Sequence, residues 1–171
     1  MIIGHLPAGY LVATAALDRL GLPSRRRRTL LLAALVASVA PDLDLLYFYA
    51  TGGRVHHHAL PTHWPSLWLA LTAAGLLAAA VVRSRPLAVG AAFVGGAGLL
   101  HLLLDSVAGA VRWAAPFSDR ALTLVEVPAR HGWWVWSMVG HWTFGAEVVL
   151  ALAAGAVAWA RRRGGGVPGA G

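Results

Sequence analysis

Residues 41–63 read PDLDLLYFYATGGRVHHHALPTH, two carboxylates and four histidines set between long apolar runs. Asp42 and Asp44 interrupt a segment that otherwise has the composition of a membrane span. Ionisable groups at that depth are costly enough to mark function. His56, His57, His58 and His63 follow at once, and imidazole is the commonest nitrogen ligand for metals. The stretch predicts a metal site near one face of a membrane.

Composition agrees with a membrane class. The 171 residues are 58% hydrophobic and 12% charged, with a mean hydropathy of +0.64. A soluble domain carries roughly a quarter charged residues. Cysteine is absent, which excludes disulfides and thiolate zinc sites. The net charge of +7 comes entirely from arginine on the basic side. These arginines fall in short clusters beside apolar segments, the pattern of topology signals, so nucleic-acid binding is not expected. No cleavable leader is expected, since the first residues lack a basic region and His5 breaks the apolar start.

The expected fold is all-α: a polytopic membrane bundle of about five transmembrane segments, the second broken at Pro41. One membrane-embedded domain covers 1–163, and a Gly-rich tail, 164–171, is expected to be disordered. The segments run over 2–20, from Thr29 to about Tyr49, from Ser66 to Val82, from about Leu87 to Val111, and from Trp133 to Ala160. Arg19, Arg25–Arg28, Arg83, Arg85 and Arg161–Arg163 alternate onto one side, which the positive-inside rule makes cytoplasmic. The expected topology places the N-terminus outside and the C-terminus inside. Trp64, Trp68, Trp133, Trp134 and Trp136 then form an outer aromatic belt.

At about 1.5 Å per residue, His5, Asp42, Asp44, His101, Asp105 and Glu147 all rise about 18–27 Å from the cytoplasmic end. They therefore share one layer in the outer third of a core about 30 Å thick. His101 and Asp105, four apart, occupy one helix face; a His–Asp bond joining two spans is the rival reading. Pro41 disturbs its helix and turns at least one neighbouring carboxylate inward. Pro61 lets His58 and His63 converge across a turn, while His56 and His57 are expected to be solvated neighbours. Glu147 has no basic partner in its segment, and reads as a general base, a ligand or a neutral buried acid. His131 and His141 have only proximity in their favour.

These residues resemble the YdjM-like inner-membrane proteins, known as membrane-bound metal-dependent hydrolases. The resemblance rests on Gly4-His5-Leu6, Pro41-Asp42-Leu43-Asp44, the turn from His58 to His63, His101-Leu-Leu-Leu-Asp105, and Pro116-Phe117-Ser118. It spans residues 4 to about 118. The family turn His-Arg-Gly-x-Thr-His-Ser is altered: Ala59 and Leu60 replace Arg-Gly, and Trp64 replaces Ser. By this resemblance the metal ligands are His5, Asp42, Asp44, His58, His63, His101 and Asp105.

The resulting expectation is a hydrolase of the bacterial inner membrane, with its site at the outer face. Ligation by His and Asp without Cys suits Zn²⁺, with Mn²⁺ or Fe²⁺ as alternatives. Seven ligands exceed a mononuclear catalytic zinc site, so one or two ions are expected. Metal-activated water is the expected nucleophile, with Asp44 or Glu147 as base. The expected partners are the bilayer and a lipid-like ester or phosphoester. Two rivals are a divalent-cation transporter using the same groups, and a haem carrier with axial His5 and His101.

Overall fold

A computed structural model describes residues 1–52 and 56–164. Arg54 of the polar loop and the tail from 165 onward, where disorder is expected, lie outside the described residues. The described chain is helical: α1 (His5–Asp18), α2 (Ser24–Ala37), α3 (Asp44–Ala50), α4 (Pro65–Val81), α5 (Arg85–Ala108), α6 (Trp134–Val139) and α7 (Trp142–Gly164). Single 3-10 turns at Ala40–Leu43, His57–Ala59 and Pro61–His63 connect α2 to α3 and α3 to α4.

The breaks follow local chemistry. After α1, Gly21 adopts a φ of +55° and Pro23 precedes the next helix, so the chain reverses where glycine alone is unstrained. Pro41 lacks an N–H donor, and the chain tightens there into the turn Ala40–Leu43. The axes of 24–37 and 40–50 consequently differ by 50°. At the start of α5, Ser84 accepts a hydrogen bond from Leu87 N–H and Pro86 occupies the first turn, a compatible pairing for a helix N-terminus.

Two helices, α5 and α7, are long and apolar enough to cross a membrane, with mean hydropathies of 2.0 and 1.6. The bent pair 24–37 and 40–50 makes a third if it forms one span. The 14 residues of α1 extend only about 21 Å, short of a core about 30 Å thick. Large apolar side chains lie outside, with Leu77, Val81 and Leu152 all at least 67% exposed. His63, His101, Asp105 and Glu147 are at most 1% exposed. That inverted distribution suits a lipid surround and a polar interior.

Helix α5 lies at the centre, against α4, α2 and α1, and α7 packs on α1. Small residues let the helices approach closely: Gly95 faces Thr72, Gly98 faces the Trp68 indole, and Gly9 faces Ser38. Trp68 in turn donates its Nε1–H to the Thr62 carbonyl at 2.8 Å, so α4–α5 packing reaches the histidine turn. At the opposite end, Arg27 and Arg161 both bind Asp18, gathering α1, α2 and α7.

A Cβ at Gly98 would overlap the Trp68 ring. Gly98→Ala should therefore lower stability by about 1–3 kcal/mol, the usual cost of overpacking. Denaturation of the detergent-solubilised protein measures this, and an unchanged midpoint would contradict the packing described.

Candidate metal centre

His101 and Asp105 lie one turn apart on α5, with Nε2 3.0 Å from Asp105 Oδ2. His101 Nδ1 lies 2.8 Å from the carbonyl of Ser38, at the C-terminus of α2. A carbonyl only accepts, so Nδ1 carries a proton, and it is Nε2 that can offer a lone pair. A carboxylate oxygen facing that lone pair is repelled unless a proton or a cation intervenes. His63 repeats the arrangement. Its Nδ1 lies 2.8 Å from Asp44 Oδ2, which directs Nε2 towards Asp105 Oδ2 at 3.4 Å and Asp42 Oδ1 at 3.8 Å.

Asp42 completes the set, with Oδ1 3.6 Å from His101 Nε2. Bonds of about 2.0–2.1 Å to a tetrahedral ion hold neighbouring ligand atoms about 3.3 Å apart. The four separations given above among Asp42, His63, His101 and Asp105, from 3.0 to 3.8 Å, bracket that value. His63 Nε2, His101 Nε2 and Asp105 Oδ2 are buried without hydrogen-bond partners, an expensive condition for polar atoms. The donor set and its unpaired atoms fit a divalent cation.

His5, Asp44 and His58 lie around this core. His5 enters from the start of α1; its ring stacks on His101 at 3.7 Å, and its Nε2 is 3.1 Å from Asp105 Oδ1. The Met1 amino group also reaches Asp105 Oδ1, at 2.5 Å. His58 Nε2 is 3.5 Å from Asp105 Oδ2. Both carboxylates flanking Leu43 are engaged, in different ways: Asp42 faces the imidazoles of α1 and α5, whereas Asp44 binds the Thr62 hydroxyl and His63. Glu147, fully buried on α7, accepts hydrogen bonds from the N–H groups of Ile2, Ile3 and Gly4. His131 is exposed, and His141 pairs with Thr143.

A cavity of about 670 Å³ opens beside Asp42, Asp105 and His58, with apolar walls including Phe48, Trp134 and Met138. Its far side comes from the segment after α5. Leu124 N–H and Val125 N–H bond the carbonyls of Ser106 and Val107, using acceptors that the helix end leaves free. Val111 and Leu122 form a bridge in the same segment. Gly109 packs against the His58 ring, where a Cβ would come within 2.6 Å.

Sequence reasoning set His57 aside as solvated. It is only 15% exposed at the side chain, its Nδ1 is 3.5 Å from Asp44 Oδ1, and it joins His58 and His63 in a second group of convergent donors. Its place in the histidine run was the available signal. The Ser38 carbonyl carried none, since a backbone acceptor has no residue signature.

Burial disfavours charge on His63, but the carboxylates of Asp105 and Asp44 facing its two ring nitrogens outweigh that and push its pKa up to about 9. Burial moves His58 the other way, down to about 3, against the pull of Asp105. Without an ion, then, His63 is protonated at neutral pH, and its contacts stabilise the fold until pH rises through about 9. Metal binding must release that proton. Apparent affinity should rise with pH and level off above about 9, falling by up to about tenfold per unit below it. Competition titrations at several pH values measure this, and a pH-independent affinity would contradict it.

No curated protein and no solved structure matches the chain. The YdjM inner membrane protein family model matches residues 1–165, thus taking in α7 as well as the segments that carry the resemblance. The chain belongs to the YdjM inner membrane protein family.

Proposed function

We propose that the protein is a divalent-metal-dependent hydrolase that cleaves an amphiphilic ester or phosphoester at the outer face of the inner membrane. One observation carries this reading: a buried His/Asp donor set with unpaired atoms borders a large, mainly apolar cavity. Cavities of about 300–1,000 Å³ with apolar walls and a few convergent polar groups are typical of small-molecule sites. A purely structural His–Asp bond needs one pair, not two carboxylates surrounded by several imidazoles.

Asp42, His63, His101 and Asp105 would hold the ion, with His5 and His58 completing its surroundings. Zn²⁺ suits these ligands best, with Mn²⁺ or Fe²⁺ as substitutes. When bound, a divalent ion supplies Lewis acidity, which polarises the scissile carbonyl or phosphoryl oxygen and makes water acidic enough to attack near neutral pH. The protein's own groups do the rest. Ser38 and Asp44 fix the two imidazole tautomers through Nδ1. Asp44 Oδ1, buried and unpartnered beside His57, is the oxygen we assign to take the proton from the attacking water. Phe48, Trp134 and Met138 would hold the apolar portion of the substrate.

The proposed topology has five spans with the N-terminus outside. Support comes from the joint tie of Arg27 and Arg161 to Asp18, which places two arginine clusters together at the end away from the histidines. The positive-inside rule makes that end cytoplasmic.

Asp105→Asn and His101→Ala should each abolish stoichiometric metal binding and hydrolysis. Asp44→Asn should retain metal and lose at least about 100-fold in turnover, within the usual contribution of a general base. Elemental analysis with assays on acyl-ester and phosphoester amphiphiles measures both. Metal-dependent flux into liposomes without turnover would instead establish cation transport.

A further inference from the structure

The carboxylate of Glu147 does not face the metal ligands through a free oxygen pair. Its Oε2 receives three backbone donors in succession, from Ile2 at 2.7 Å, Ile3 at 2.6 Å and Gly4 at 2.9 Å. Successive N–H groups converging on one anion form a nest, and hydrogen bonds to a carboxylate are stronger than neutral ones. Glu147 is 0% exposed, so water does not compete for these donors. The next residue in the chain is His5, whose ring stacks on His101 and whose Nε2 lies 3.1 Å from Asp105 Oδ1. Gly4 lies directly against this side chain: a Cβ there would make ordinary contact with Glu147 Cγ at 3.4 Å and be crowded only by Met1 Sδ at 3.0 Å.

We propose that Glu147 is a positioning residue: from α7 it clamps the backbone of 2–4 and thereby fixes the His5 imidazole against the metal centre. This rests on the reading of the His/Asp cluster as that centre. It gives a task to α7, which contributes no residue to the donor groups yet packs along α1. His5 stands at the very start of α1, and the chain before it is held to the bundle by three N–H bonds to this carboxylate and by the Met1 amino group on Asp105. Freed from Glu147, the segment could fray and carry His5 away from Asp105.

The test uses the full chain in detergent. Ile2 and Ile3 are the only isoleucines in the sequence, so ¹⁵N-isoleucine labelling yields two amide signals, both reporting on the clamp. In the wild type both amides should exchange slowly with solvent, and in Glu147→Ala at least about tenfold faster, as frayed termini do. Zn²⁺ affinity, read by competition with a chelator, should fall about 10- to 100-fold in Glu147→Ala, the range for groups that orient a ligand. Glu147→Gln, which keeps an acceptor oxygen, should recover part of that loss. In a His5→Ala background the Glu147→Ala change should cost less than about twofold, because the two residues then act through one interaction.

Additive losses in the double variant would overturn the proposal, as would unchanged isoleucine exchange in Glu147→Ala. A lowered melting temperature with wild-type Zn²⁺ affinity would reduce Glu147 to a stabilising contact. If the wild type binds no Zn²⁺, the metal reading fails and the role of His5 with it, while the isoleucine amides still report whether the clamp exists.

Discussion

Asp105 and the imidazoles around it govern this structure. A carboxylate 1% exposed lies within 3.5 Å of nitrogens from His5, His58, His63 and His101. Burying a charge costs several kcal/mol even after relaxation, and lone pairs directed at one another add to that cost. Positive charge placed among these atoms relieves both penalties. Helices α1 and α5 bring donors, and α3, α4 and α7 bring groups that hold a donor or the backbone beside it, so site and bundle architecture are aspects of one arrangement.

Orientation of the donors is as important as their presence. Ser38 and Asp44 each occupy one nitrogen of an imidazole and so aim the other inward. Trp68 holds the histidine turn by its bond to Thr62 and rests in the space left by Gly98. Glu147 reaches across from α7 to the backbone beside His5. Close helix packing through small residues is thus contiguous with the donor groups, through Trp68 on Thr62 and through Ser38 on His101.

Much of the site was legible in the sequence because its signals are local or depend on depth. The four-residue spacing of His101 and Asp105 places them on one face, and Pro41 marks the bend between α2 and α3. The shared depth expected for groups from different segments pointed to the convergence of His5, Asp42, His101 and Asp105. What was not legible depends on backbone atoms and on chain direction after a break. The Ser38 carbonyl and the N–H groups of residues 2–4 have no residue signature, and the capture of Glu147 by that backbone was therefore invisible. The differing fates of Asp42 and Asp44 depend on the 3-10 turn at Ala40–Leu43, whose twist a regular helical wheel cannot represent. Spans are a similar case: of the about five segments expected, length and hydropathy together mark α5, α7 and, if it forms one span, the bent pair from α2 to α3.

X-ray absorption at the metal edge of the purified, zinc-loaded protein tests the central claim most directly. The account predicts a first shell of nitrogen and oxygen only, at about 2.0–2.1 Å, with the outer-shell scattering of at least two imidazoles. A stoichiometric ion lacking imidazole scattering, or no ion retained by the folded protein, would contradict it.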